Sequence, residues 1–351
     1  MLPGILMLLA AADPALQWRQ EGPRTTFQIQ ADRLSVSGLG NTPNWVHTDR
    51  EYENFRLTFE YKLAQWAEAA VYLRAPRDGR PGSAGLSIVF AHDFHKQISK
   101  HVTGAIAGVL PPLAPQPVSF EQWHRVVIVL DGGRLRVDID GARAQDLDLD
   151  SNGDLKHRLK RGFIGFPDLG HAYEIRKIAI EDLGSPTRFT ALDGWKLRGA
   201  GNWTFDDGGV IRGANGHGIL YARQRFRDFE LTALVRSHNH VNAGIFLRGS
   251  PDESKPRGFE VQIYSPVEAV YPTGSVYSIS RSNSRVEFEE RWFLMQIRVE
   301  GPRCRVWLDG EPVSETDKLP IEDEGQIGLQ IHMDNASVEF RDLRVRDLGR
   351  R

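Results

Sequence analysis

Arg248, Glu260 and His332 bring, from three separate segments, a donor of directed hydrogen bonds, an acceptor that can transfer a proton, and an imidazole. Each sits in a stretch that alternates apolar and polar residues. In a strand, Phe259, Val261 and Ile263 point one way, and Glu260 and Gln262 the other. By the same alternation Phe246 and Arg248 share the outer side of their segment, and Gly328, Gln330 and His332 that of theirs. If the three strands are neighbours, these side chains make one bonding surface. Arg and Gln give directed hydrogen bonds to hydroxyls or a carbonyl, and Glu accepts them and can carry a proton. Phe246, Tyr264, Tyr277 and Trp203 are the candidates for apolar contact, with Gln262 and Gln330 as the polar contacts. Such a surface suits a sugar. The bland reading is a solvated sheet face with Arg248 paired to Glu260.

Other chemistry is poorly represented. His92, His95 and His101, with Asp93, have an attractive spacing for a metal, but it is not the HExxH pattern and no helix is signalled there. Cys304 is the only cysteine, so an intrachain disulfide and a four-cysteine zinc site are excluded, and a structural thiol is expected. There is no nucleophile elbow, phosphate-binding loop or dinucleotide fingerprint. A divalent cation stays open as an addition, with no ligand set assigned.

The elements that must position these residues are strands. Period-two segments recur, including Arg56–Leu63, Leu86–Phe90, Trp123–Leu130, Phe229–Arg236, Phe259–Tyr264 and Phe293–Glu300, divided by turns such as Asp140-Gly141 and Asp309-Gly310. The order of motifs occurs twice. Val71 to Arg74 answers Ile245 to Arg248, Thr103-Gly104 answers Thr273-Gly274, and Trp123 answers Trp292. Val137 to Gly141 likewise answers Val306 to Gly310, and Tyr173 to Gly184 answers Val338 to Gly349. Such ordered matches predict a duplication, with the boundary near Gly184-Ser185-Pro186. The first copy keeps Arg74 but sets Ser87 against Glu260 and Val89 against Gln262, so the second copy carries the polar face.

With 351 residues, 40% of them apolar and 26% charged, the chain can fill two cores. A net charge of -2 gives no reason to propose nucleic acid as a partner. The apolar run Leu2 to Ala12 is too short to span a bilayer and predicts an export signal and leader over 1–22, hence a periplasmic or secreted protein.

The second copy resembles the 3-keto-disaccharide hydrolase domain family, through Asp193-Gly194-Trp195, Asn242 to Arg248, Gly258 to Ile263, Thr273 to Tyr277, Trp307 to Gly310 and Gly325 to His332. The resemblance covers 187–348 and, in diverged form, 23–184. It implies an all-β chain of two tandem concanavalin-A-like jelly-roll sandwiches, with a carbohydrate as ligand or substrate. It would place Arg248, Glu260 and His332 at the functional face of an enzyme cleaving 3-keto-glycosides. Oxidation at C3 acidifies the C2 proton, so a base can remove it and the C1 glycosidic group can leave, with water then adding. The alternative is a non-catalytic carbohydrate-binding sandwich.

Overall fold

The computed structural model describes residues 16–22, 26–30, 33–39, 44–91, 97–117, 119–266, 268–320 and 323–349. His92, Asp93, His95 and the apolar run at the N-terminus lie outside them. Two compact units divide the chain: Met1–Arg77 with Pro81–Pro186, and Thr187–Arg351 with Asp78–Arg80. Among the described residues no helix is long and apolar enough to cross a membrane.

The first unit is a sandwich of two antiparallel sheets. One has five strands in the order Trp18–Glu21, Trp45–Thr48, Phe163–Pro167, Glu68–Ala75 and Leu86–Ala91. The other has seven, running from Ala142–Asp148 through Asn54–Leu63 to Phe27–Gln30. The inward residues of both, among them Phe55, Phe59, Val71, Ile88, Val126 and Phe166, form one core. The first strand, Trp18–Glu21, falls within the 1–22 span read as leader. Trp18 to Glu21 pairs with Thr48 to Trp45, and Trp18 packs on Phe166, 6.0 Å between ring centroids. Trp-Arg-Gln-Glu has one apolar residue and no alternation, so nothing in its pattern announces a strand.

The second unit is also a two-layer sandwich, but two long strands serve both layers. In Ile211–Phe226 and Gly325–Asp347 the early part of one pairs with the late part of the other, and the reverse. Gly216 to Phe226 and Gly325 to Met333, with Ala243–Gly249 and Phe259–Ile263, make a front layer. Ile211 to Ala214 and Ser337 to Asp347, with Phe229–His238, Phe293–Glu300, Arg303–Leu308 and Glu311–Thr316, make the back layer. Between the layers lie Leu231, Val235, Ile245, Leu247, Val261, Ile263, Met295, Leu329 and Ile331. Cys304 is buried in this core, which pushes its thiol up to about 12, as a structural thiol requires. The hairpin turns Asp140-Gly141 and Asp309-Gly310 have φ of 48° and 83°, and 49° and 83°. Positive φ at both central positions suits a two-residue turn whose twist matches the strands.

Candidate functional site

Alternation turns a defined set of side chains away from the second core, onto the outer face of the front layer. The register lines them up in rows across four strands. Tyr221, Gly328, Phe246 and Glu260 form one row, and Ile219, Gln330, Gly244 and Gln262 the next. A further row holds His217 and His332, with the His332 amide donating to Asn242 O at 2.9 Å. Tyr264 follows Gln262 by two residues and so shares this side. Although they face away from the core, Phe246, Gln262 and Gln330 are only 7%, 4% and 7% exposed. The face is therefore recessed.

Two glycines shape it. A Cβ on Gly328 would stand 2.5 Å from Ile219 Cγ2 and 2.8 Å from Tyr221 Cδ1, so its bareness lets Ile219, Tyr221 and Phe246 close into a small apolar floor. A Cβ on Gly244 would stand 2.3 Å from Glu260 Oε1, so the carboxyl lies over the Gly244 backbone. Gly244→Ala is expected to leave the fold intact, because the atom displaced is the end of a flexible side chain, yet to swing the carboxyl away. Affinity for a ligand held by this face should fall roughly tenfold while the melting temperature moves by less than about 3 °C, a change of under 1 kcal/mol for a chain this size; calorimetry and a melting curve check both.

Glu260 is half-buried, and its Oε1 is sealed from solvent without a hydrogen-bond partner. Burial pushes its carboxyl up to about 8. Gln262 Oε1 and Gln330 Oε1 are likewise buried and unpartnered, although Gln262 Nε2 donates to Asn242 Oδ1 at 3.1 Å. Three acceptor oxygens without partners thus look onto one surface. Burial holds the His332 imidazole below its ordinary value, with the neighbouring His217 and Arg257 adding to this, and the His217 ring meets it edge-on at 4.5 Å. Tyr221 donates its OH to Arg257 O at 2.5 Å, which anchors the loop ahead of Glu260, and burial raises its phenol.

Glu260 and His332 share this face but stand at opposite ends of it. His332 is level with Asn242 and Glu260 with Phe246, which separates them by roughly 13 Å along the strands and about 10 Å across them. They do not form an acid–base pair on one bond.

Arg248 is elsewhere. Its φ of 53° breaks the strand alternation, and the register slips between Phe246 and Gly249. The side chain, 0% exposed, turns to the other side, where Nε donates to Arg227 O at 2.7 Å, Nη1 to Gly301 O at 2.8 Å and Nη2 to Asp228 Oδ1 at 3.2 Å. The first unit repeats the device. Arg74, φ 49°, donates to Glu53 O at 2.6 Å, Asn54 Oδ1 at 3.2 Å and Gly132 O at 2.9 Å. An arginine is built in twice, once beneath a face that lacks Glu260, and in each unit it ties turns and strands together through buried hydrogen bonds.

Trp203 also leaves the set. Its short strand, Asn202–Phe205, pairs with the back-layer half of Ile211–Phe226, and the ring lies across Gly213 against the core. Tyr277 adjoins the site through its backbone, its N–H donating to Glu260 O at 2.9 Å. Sequence reasoning missed His217, Ile219, Tyr221, Asn242, Gly244 and Arg257. The alternation within Gly216 to Tyr221 could have found the first three; no periodic signal marks Arg257, which lies in a loop.

In the first unit the same rows read His47, Gly165, Tyr72, Ser87 and Trp45, Pro167, Ala70, Val89. Trp45 packs on His47 at 4.6 Å and on Tyr72 at 5.8 Å, and His47 on Phe163 at 4.5 Å, so the protein's own rings fill that face. This unit does hold a serine–histidine–aspartate arrangement, with His124 Nε2 at 2.8 Å from Ser119 Oγ and Nδ1 at 2.7 Å from Asp140 Oδ2. The same Nε2 lies 3.1 Å from Ser119's own carbonyl, and His124 is buried. Those contacts close a turn onto the start of a strand. Among the described residues no group of three or more His, Cys, Asp or Glu is placed to hold a metal.

The 3-keto-disaccharide hydrolase family model, described as a 3-keto-alpha-glucoside-1,2-lyase-like domain, matches residues 15–181 and again 189–346. The chain belongs to this family. Each unit of the chain is thus one tandem jelly-roll sandwich, and the family places the chain among carbohydrate-acting proteins. No curated protein sequence matches it. Among solved structures it is similar to a glycosyl hydrolase described as putative from Parabacteroides distasonis ATCC 8503, at 18% identity and TM-score 0.41 over 48% of this chain and 100% of that one. It is also similar to the carbohydrate-binding module CBM66 from Bacillus subtilis, at 16% identity and TM-score 0.34 over 44% and 97%. The exoplasmic/lumenal domain of VIP36 in a Ca2+/Man-bound form matches at 10% identity and TM-score 0.34 over 45% and 84%.

Proposed function

We propose that the front face of the second unit binds a carbohydrate. The observation that carries this is the trio of buried, unpartnered acceptors, Glu260 Oε1, Gln262 Oε1 and Gln330 Oε1, around the apolar floor of Ile219, Tyr221 and Phe246. A buried acceptor without a partner is costly, and a pyranose supplies both what these atoms need and what the floor needs. Its hydroxyls donate, and its C–H face covers apolar carbon. Titration of methyl 3-keto-α-glucoside and methyl α-glucoside into the full chain tests the reading. Gln262→Ala and Gln330→Ala should each weaken binding roughly tenfold or more; affinities untouched by either change would refute it.

Cleavage of a 3-keto-glycoside is the second reading, favoured by Glu260 alone. A carboxyl tuned to about 8 is, once ionised, a stronger base than an ordinary carboxylate. It takes the C2 proton, and the C2–H electron pair becomes the C2–C3 double bond of an enolate with the charge on the C3 oxygen. As the carbonyl re-forms, the C1–O bond breaks, and the leaving oxygen takes the proton back from Glu260. The elimination leaves a C1=C2 double bond conjugated with the C3 carbonyl, and water then adds across it, its hydroxyl going to C1 and its proton to C2. On this face Gln330 Nε2 would be the side-chain amide donor to the enolate oxygen, since Gln262 Nε2 is held by Asn242 Oδ1 and the Arg248 guanidinium by Arg227 O and Gly301 O.

A further inference from the structure

We infer that Tyr271 and Tyr277 form the subsite for the leaving group, and that this group is itself a ring with an apolar face. The inference rests on the front face being a sugar site and on Glu260 serving its glycosidic bond.

The hairpin that carries both tyrosines lies along the free edge of Phe259–Ile263. Val276 bridges Val261, Tyr277 N–H donates to Glu260 O at 2.9 Å, and Thr273 N–H donates to Tyr264 O at 3.0 Å. Val276 and Val261 both face the core, so alternation turns Tyr277 to the opposite side, the side of Glu260. Its ring is 50% exposed and meets Tyr271 at 5.2 Å between centroids, tilted by 55°. The two rings make a ledge beyond Glu260 as seen from the floor of Ile219, Tyr221 and Phe246. If the ring undergoing proton loss covers that floor, the bond Glu260 serves points towards the ledge.

The ledge is held in place. Ser275 Oγ donates to Pro272 O at 2.6 Å and accepts from Ser282 N–H at 2.9 Å, while Ser314 Oγ donates to Gly274 O at 2.6 Å and Ser280 Oγ to Glu315 O at 2.9 Å. The hairpin itself does not need the rings. In the first unit the equivalent bridge joins Ile88 and Ile106, and the residue whose N–H meets Ser87 O, at 2.9 Å, is Ala107. Tyrosines appear only where the acid appears. A tyrosine face recognises C–H-rich or aromatic rings, so a second pyranose and a phenyl group share the chemistry required.

The test measures binding to the full chain carrying Glu260→Gln, so that ligands persist. Methyl 3-keto-α-glucoside, phenyl 3-keto-α-glucoside and a 3-keto-disaccharide are compared. Ring-bearing ligands should bind roughly five- to tenfold more tightly than the methyl glycoside. Tyr277→Ala should bring them down to the methyl level, and Tyr277→Phe should restore the preference. Which ring gains more tells a phenolic from a sugar leaving group. Equal affinities for all three, or a preference that survives Tyr277→Ala, overturns the ledge while leaving the sugar site standing. Absence of binding by every ligand, in the wild type as in Glu260→Gln, overturns both.

Discussion

A Glu260→Gln protein is expected to keep its sugar and to lose turnover of a 3-keto-glycoside by about 10²- to 10⁴-fold, the contribution of one well-placed proton-transfer group. In the wild type, kcat/KM should climb as pH rises towards 8 and level off above it, because the ionised carboxyl is the base and burial sets its pKa near 8. Glu260→Gln should flatten that climb. Stability moves the opposite way. The folded protein holds a proton on Glu260 that the unfolded chain sheds above its ordinary 4.5, so the contribution is complete below about 4.5 and is lost as pH rises through about 8. The slope across that window is about 1.4 kcal/mol per pH unit. Glu260→Gln has no such charge to hide, so at pH 8 it should melt higher than the wild type, with the gap closing at pH 4.5. Turnover left intact in Glu260→Gln would show that any cleavage runs without this carboxyl. A wild type that binds the 3-keto-glycoside with no product across pH 5 to 9 would leave a binding protein.

The other large effect concerns folding. Arg248→Ala removes three charge-assisted hydrogen bonds from the interior and strands the Arg227 and Gly301 carbonyls, along with the Asp228 carboxylate that Gly301 N–H also contacts at 2.8 Å. A cost of about 3–5 kcal/mol is expected, on the scale of breaking a buried ion pair. Arg248→Lys should recover little of it, since an ammonium cannot reproduce the planar fork. Arg74→Ala should do comparable damage to the first unit, whose arginine is pulled down to about 10 mainly by burial. Urea unfolding followed at tryptophan reads both. An Arg248→Ala protein with unchanged stability and abolished turnover would return Arg248 to the reaction.

Alternation carried most of what the sequence disclosed. It set Phe259, Val261 and Ile263 inward and Glu260 and Gln262 outward, and it put Gln330 and His332 on the same side as Phe246. It failed at Arg248, where one residue in a left-handed conformation reverses the side without any mark in the letters around it. It could not tell front layer from back, and Trp203, a candidate for apolar contact, lies on a strand paired with the back-layer half of Ile211–Phe226. Distances along the face were hidden too. Glu260 and His332 share a side, but only the register shows four residues of offset between their rows. The loops gave no signal at all, and Arg257 and Tyr271 were found from their neighbours in space.

The long strands of the second unit change how it can come apart. Where the first unit builds its layers from separate pieces, Trp45–Thr48 in one and Arg33–Ser37 in the other, Ile211–Phe226 and Gly325–Asp347 stitch front to back through continuous main chain. Loosening one layer then pulls on the ladder of its partner, so the second unit should open as a single cooperative block while the first can fray a layer at a time. The recessed face is thereby carried on the part of the protein least able to breathe independently, which keeps Glu260 sealed for as long as the unit remains folded.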